Sequence, residues 1–128
     1  MKFAVVSDTH FEFTKENYLD LGIENPDEVT LILAGDINVG AENIRDTIIQ
    51  YASKFKDVVW VSGNHDAYHI GTEELRTLLT ELTNSLLNFY YLDNTIIELE
   101  GVTIGGSTMW GYVQPEYASR MNDMKVIP

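Results

Sequence analysis

The chain has 128 residues, 20 acidic and eight basic, with a formal net charge of −12 and no cysteine. A chain of this length forms one domain that buries about two thirds of its unfolded surface. The negative charge argues against binding to nucleic acid backbones, which are held mainly by Lys and Arg, although a small phosphodiester is not excluded. The missing cysteines exclude disulfides and thiolate metal sites. No apolar run reaches the roughly 20 residues that span a bilayer and no signal-peptide pattern is present, so we expect a cytoplasmic protein.

The first two thirds of the chain alternates between predicted strands and helices. Apolar runs rich in Val, Ile and Leu predict three buried strands, at about residues 2–7, 29–34 and 57–62. Apolar side chains recur at helical spacing over residues 41–55 and 72–87, which predicts a helix in each range. Strands that alternate with helices in this way favour an α/β fold beginning with parallel strands.

The remaining segments carry weaker signals. A short helical turn is expected around residues 15–21, and the C-terminal stretch 115–123 has some helical character. Three short β-forming runs, at 89–92, 95–100 and 102–106, are separated by turn-forming residues and predict antiparallel hairpins.

Each of the three buried strands is followed by polar side chains that suit metal binding. Asp8 and His10 follow the first strand, Asp36 the second, and Asn64 and His65 the third. Since ligands bind outside the carboxyl ends of strands in α/β sheets, these side chains should converge. If the extended backbone continues past residue 7, Asp8 and His10 point to the same side and hold one ion together.

These side chains also indicate which chemistry the site would support. Carboxylate, imidazole and amide oxygen ligands favour Mn²⁺, Fe or Zn²⁺. Two such ions sharing Asp36 would lower the pKa of a bridging water and clamp a phosphoryl group.

The segments Asp8-Thr9-His10, Gly35-Asp36 and Gly63-Asn64-His65-Asp66 together resemble the motifs of a known family. In order, spacing and strand context they are similar to the D-x-H, G-D and G-N-H-D/E elements of the calcineurin-like metallophosphoesterases. The resemblance covers about residues 2–127 and implies the N-terminal part of that family's α/β sandwich. We therefore expect one domain over residues 1–128, with a mixed sheet flanked by helices and an incomplete second sheet, shortened at its C-terminal side relative to the family.

The resemblance implies a site with two divalent metal ions. Asp8, His10 and Asp36 would hold the first ion, and Asp36 and Asn64 the second. The implied activity is hydrolysis of a phosphomonoester or phosphodiester by a metal-bound hydroxide.

Two further residues have implied catalytic roles. His65 would contact the substrate phosphate and protonate the leaving group, and Asp66 would act from behind the residues that touch the metals.

The glycine-rich segment 105–111 would help to wall the pocket, with Trp110 as core or wall. Asn38, near Asp36, would either line the cleft or be an ordinary polar loop residue.

The chain departs from the family pattern in two respects. The Gly-His and Gly-His-x-His elements that complete the family's site have no counterpart, because the three histidines are His10, His65 and His69. We expect His69 to be a surface residue. The Gly35-Asp36 element also lacks the Asp and Arg residues that follow it in protein phosphatases, which argues against a dedicated protein phosphatase.

The missing histidines leave two alternatives to an enzyme that acts alone. In the first alternative, the chain would be a truncated module that binds metal weakly and acts by association without turnover. Alternatively, a second copy or a partner chain supplies the missing ligands and covers the incomplete sheet.

Overall fold

The computed structural model describes residues 1–128 as a four-stranded parallel sheet flanked by helices, with a separate two-stranded sheet. The strands of the main sheet follow their chain order in space and are β1 (Lys2–Val6), β2 (Val29–Ala34), β3 (Asp57–Val61) and β4 (Phe89–Tyr91). The antiparallel pair consists of β5 (Thr95–Leu99) and β6 (Val102–Gly106). The helices are α1 (Phe11–Thr14), α2 (Ala41–Ala52), α3 (Thr72–Ser85), α4 (Pro115–Ala118) and α5 (Asp123–Val126).

The core lies between one face of the main sheet and the helices α2 and α3. Alternate strand residues point to this face, as the pleat of a strand requires. Their buried side chains interlock with the apolar stripes of the two helices, and each Leu or Ile so buried contributes roughly 1.5–3 kcal/mol. The central members of the core are Leu31, Leu33, Val58, Trp60 and Phe89 of the sheet, Ile44, Ile48 and Tyr51 of α2, and Leu75, Leu78, Leu79 and Leu82 of α3.

The opposite face of the main sheet is covered only in part. The β5–β6 hairpin approaches it closely at Gly106, where an added Cβ would lie 2.6 Å from Cγ2 of Val61 and 2.7 Å from Cβ of Leu92. At the other edge, Phe3 and Val5 of β1 remain 42% and 66% exposed. The two-stranded sheet is thus too small to cover this whole face, and apolar side chains of the edge strand β1 stay exposed.

The predicted fold class is confirmed, since parallel strands, flanking helices and a small second sheet are all present. The predicted pairing of one strand is wrong. The run 89–92 was predicted to join antiparallel hairpins, but β4 pairs in parallel with β3. Helix α3 connects the two strands, and a crossover through a helix returns the chain in the same direction.

The predicted helical turn at 15–21 is also wrong in position. The turn is α1, which begins at Phe11 immediately after the first polar cluster. Phe11 is buried, and its backbone N–H donates to the carbonyl oxygen of Ile37 at 3.0 Å. These two contacts fix the start of the helix next to the sheet edge. The helical character expected at 115–123 corresponds to α4 and the start of α5.

Candidate metal centre

The loops after β1 and β2 run side by side and carry the predicted metal ligands. The N–H of Asp8 donates to the carbonyl of Gly35 at 3.0 Å, and the N–H of His10 donates to that of Asp36 at 3.1 Å. Asp8, His10 and Asp36 all adopt left-handed backbone conformations, with φ of 56°, 45° and 55°. The sequence interpretation made it a condition that the extended backbone continues past residue 7, and this condition is not met. The bonds between the loops bring the ligands together instead.

His10 faces the two aspartates with one ring nitrogen. Its Nε2 lies 3.7 Å from Oδ1 of Asp8 and 3.7 Å from Oδ2 of Asp36. Two ligand atoms that each lie about 2.1 Å from one ion are separated by roughly 3–4 Å, so this spacing fits a shared cation. A neutral imidazole with two carboxylates is also a suitable donor set for Zn²⁺, Mn²⁺ or Fe. His10 is therefore placed to share a divalent ion with either aspartate.

His65 lies next to this group. Its backbone N–H donates to Oδ1 of Asp36 at 3.0 Å, and its ring stands edge-on to that of His10 with 4.6 Å between centroids. The ring also stacks on Tyr68 at 4.2 Å. One potential ligand atom each from His10, Asp36 and His65 lie within 4.8 Å of one another. His65 therefore borders the candidate metal-binding residues, where it is also available as a ligand.

Glu12 contacts both imidazole rings and was not singled out in the sequence. Its Oε1 lies 2.8 Å from Nδ1 of His10 and 3.2 Å from Nδ1 of His65. The hydrogen bond to Glu12 raises the pKa of His10 against the opposing effect of burial. Burial acts to raise the pKa of Glu12, but the bonds to His10 and His65 and a backbone N–H hold it below its ordinary value. The only signal in the sequence was a carboxylate two residues after a candidate ligand.

Asp66 lies behind the centre and is completely buried. Its Oδ2 accepts hydrogen bonds from the N–H groups of Gly63 and Asp36, at 2.7 and 2.9 Å. Its Oδ1 accepts from Ile37 and Asn38, at 2.9 and 3.1 Å. Burial raises the pKa of Asp66 to about 7, while the N–H donors act in the opposite direction. Asp66 thus ties the loop after β2 to the loop after β3, and it touches no part of the cleft directly.

Asn64 is oriented by the C-terminal segment. Its Nδ2 donates to Oδ1 of Asp123 at 2.8 Å, and the same oxygen accepts the hydroxyl of Tyr68 at 2.7 Å. Burial and this bond to Asp123 raise the pKa of Tyr68 to about 12. The only side-chain hydrogen bond of Asn64 is made by Nδ2, so Oδ1 of this cleft-lining residue is available to a cation. Asp123 is a second residue that the sequence interpretation missed.

A close approach of two glycines lets the loops after β2 and β3 meet. A Cβ added to Gly35 would lie 3.1 Å from Cα of Gly63. A Cβ added to Gly63 would collide with Oδ1 of Asp36 and lie 2.5 Å from its backbone nitrogen. Only glycine at residue 63 leaves room for the carboxylate of Asp36 in this position.

A cleft of about 440 Å³ lies beside these residues. Asp8, Asp36 and Asn64 line its floor, as predicted from the three strand ends. The glycine-rich segment contributes Trp110, which is 54% exposed and belongs to the wall of the cleft and not to the core. No Lys or Arg lines the cleft. Its remaining wall is largely apolar and includes Met109, Tyr112, Val113, Met121 and Met124.

Two other polar residues lie away from the metal ligands. His69 is exposed, as expected for a surface residue. Asn38 is buried, and its side-chain amide donates to Oδ1 of Asn17 at 2.9 Å and to Oγ1 of Thr47 at 3.1 Å. Asn38 therefore holds a loop together and does not line the cleft.

A family sequence model and a solved structure are both similar to the chain. The sequence model described as calcineurin-like phosphoesterase matches residues 1–122. Among solved structures, the chain is similar to the phosphopantetheinyl hydrolase PptH from Mycobacterium tuberculosis, with a TM-score of 0.62 and 16% sequence identity. The similarity covers 99% of this chain and 52% of that one, so the chain spans about half the length of this structural relative. No curated protein matches the chain in sequence.

None of the helices of this chain has the length and apolar character needed to cross a membrane.

Proposed function

Because the chain belongs to the calcineurin-like phosphoesterase family, we propose that it is a metal-dependent phosphoesterase that hydrolyses a phosphomonoester or a phosphodiester. The observation that carries this proposal is the position of His10, whose Nε2 lies 3.7 Å from a carboxylate oxygen of both Asp8 and Asp36. The two aspartates line a cleft large enough for a small organic phosphate.

The residues of the chain divide between two proposed ions. Asp8, His10 and Asp36 would hold the first, and Asp36 and the free oxygen of Asn64 would hold the second. Bound divalent ions would supply an acidified water and offset the charge of the phosphoryl group. That support is needed here, because the lining of the cleft contains aspartates and no Lys or Arg. Mn²⁺ as the ion and the cytoplasm as the compartment remain predictions.

The protein side chains orient the substrate and handle its protons. His65 borders the ligand group, and its Nε2 is not bonded to Glu12. In the cationic form of the ring both nitrogens carry protons, so Nε2 could give its proton to the departing alkoxide while Nδ1 keeps its bond to Glu12. The apolar wall around Trp110 would pack on the organic part of the ester and exclude water from the reacting phosphate. Asp66 keeps Asp36 and the loop that carries His65 in place through backbone hydrogen bonds.

The proposal is tested by hydrolysis of p-nitrophenyl phosphate and of bis-p-nitrophenyl phosphate with Mn²⁺ present. Asp36→Asn should reduce the rate by at least about 100-fold, since loss of a shared ligand removes several kcal/mol of charge stabilisation. Asp27→Asn is the matched control, because Asp27 is exposed at the opposite end of β2 and should leave the rate unchanged. If the folded, metal-loaded chain hydrolyses neither ester, the proposal is wrong.

A second candidate is a module that binds metal and acts by association without turnover. It is favoured by the donor count, since the chain has only three histidines and one of them, His69, is exposed away from the cleft. Calorimetric titration with Mn²⁺ distinguishes the two candidates, because the module should bind weakly or take up a single ion and show no hydrolysis. A third arrangement, in which a second copy or a partner chain completes the site, predicts an assembly larger than the monomer in light scattering.

A further inference from the structure

The carboxylate of Glu12 connects the two imidazole rings of the metal centre. A single oxygen, Oε1, lies within hydrogen-bond distance of Nδ1 of both His10 and His65, at 2.8 and 3.2 Å. The side chain is only 18% exposed, and its other oxygen, Oε2, is buried without any partner in the protein. A glutamate is costly to bury in this way, so its position calls for a function.

The chemistry of a carboxylate determines which ring nitrogens carry protons. An ionised carboxylate only accepts hydrogen bonds, so Nδ1 of each histidine must be the donor. In a neutral ring the lone pair then lies on Nε2. For His10 this is the nitrogen that faces Asp8 and Asp36, which is the tautomer a metal ligand needs.

We propose that Glu12 is a positioning residue that fixes the tautomer and the orientation of both His10 and His65. The two rings stand at 81° to each other, and one shared acceptor lies at the Nδ1 of each. Glu12 is itself held firmly, because the adjacent Phe11 is buried and donates its backbone N–H to Ile37. A single carboxylate thus couples a proposed metal ligand to the proposed proton donor.

This inference deepens the proposed function, since it rests on the assigned roles of the two histidines. The tautomers can nevertheless be observed without metal and without substrate. Long-range ¹H–¹⁵N correlation NMR of the metal-free protein, at an alkaline pH where the rings are neutral, reports which ring nitrogen carries the proton. We expect the Nδ1–H tautomer for both His10 and His65. Finding Nε2–H on either ring would overturn the proposal.

The variant Glu12→Ala should release both rings from this tautomer and weaken Mn²⁺ binding by roughly 10- to 100-fold in a calorimetric titration. Glu16→Ala is the matched control, because Glu16 is an exposed glutamate of the same segment with no hydrogen-bond partner. His69 serves as an internal reference and should not change in either variant. If Glu12→Ala is poorly folded, Glu12→Gln keeps the side-chain volume and should still change the tautomer of at least one ring.

Unchanged tautomers together with unchanged Mn²⁺ affinity in a folded Glu12 variant would refute the positioning role, even if the protein hydrolyses phosphate esters. Conversely, the expected tautomers in a metal-binding chain that hydrolyses neither ester would retain the role of Glu12 and refute only the proposed function.

Discussion

Asp66 is the only fully buried charged residue of the chain, and all four of its hydrogen bonds come from backbone N–H groups. Three of the donors belong to the loop after β2 and one to the loop after β3. A carboxylate is well suited to this position because both of its oxygens accept and neither donates. The expected catalytic contribution of Asp66 remains a prediction, and the geometry favours an indirect one through the placement of Asp36.

Replacement of this carboxylate by an amide should destabilise the fold. In Asp66→Asn the new NH₂ group faces two backbone N–H donors, and leaving both unsatisfied costs about 2–4 kcal/mol. The free energy of unfolding is measured by urea denaturation with a chelator present, at a pH of about 8 so that the native carboxylate is ionised. Asp27→Asn at the exposed opposite end of β2 should change stability by less than about 0.5 kcal/mol. Equal stability of Asp66→Asn and the native chain would contradict this account.

At the scale of elements, the site depends on the register of the parallel strands, which sets where each strand ends. The register pairs Val6 with Leu33 and Ala34 with Val61, so the three loops leave the sheet at one edge. The loops then stay in contact through backbone hydrogen bonds and through the close approach of Gly35 to Gly63. The candidate ligands therefore converge because the sheet edge and the contacts between its loops bring them together.

The variant Gly63→Ala tests this dependence. The added methyl would occupy the place of the Asp36 carboxylate, so we expect Mn²⁺ affinity to fall by at least about tenfold. Gly22→Ala is the control. Unlike Gly63, Gly22 has a positive φ, of 66°, but it has open space around it. Its replacement should therefore strain the backbone without changing metal affinity. A Gly63→Ala protein that binds Mn²⁺ as tightly as the native chain would show that the loop contact is dispensable.

The elements and ligands nearest the strands were predictable because both signals are local. Apolar runs mark β1, β2 and β3, and the polar residue after each run marks the sheet edge. The contacts of Glu12 with His65 and of Asn64 with Asp123 join residues 53 and 59 positions apart, and no local pattern indicates them. The left-handed backbone at Asp8 and His10 was missed for a similar reason, because bonds to the neighbouring loop impose it.

At the scale of the whole molecule, the net charge of −12 and the exposed edge strand both bear on what the chain binds. Three aspartates, Asp8, Asp36 and Asp123, line a cleft without a basic residue, so a cation would be attracted to it and a free phosphate repelled. The exposed Phe3 and Val5 of β1 are where a second copy or a partner chain, if one binds, would cover the sheet.

The most direct test of the central claim is anomalous diffraction from crystals of the chain grown with Mn²⁺. We expect a manganese peak about 2.1 Å from Nε2 of His10 and from one carboxylate oxygen each of Asp8 and Asp36. Crystals of Asp36→Asn should lack this peak. Manganese bound only at other carboxylates, or absent from a well-ordered cleft, would contradict the claim that the three strand ends form a metal centre.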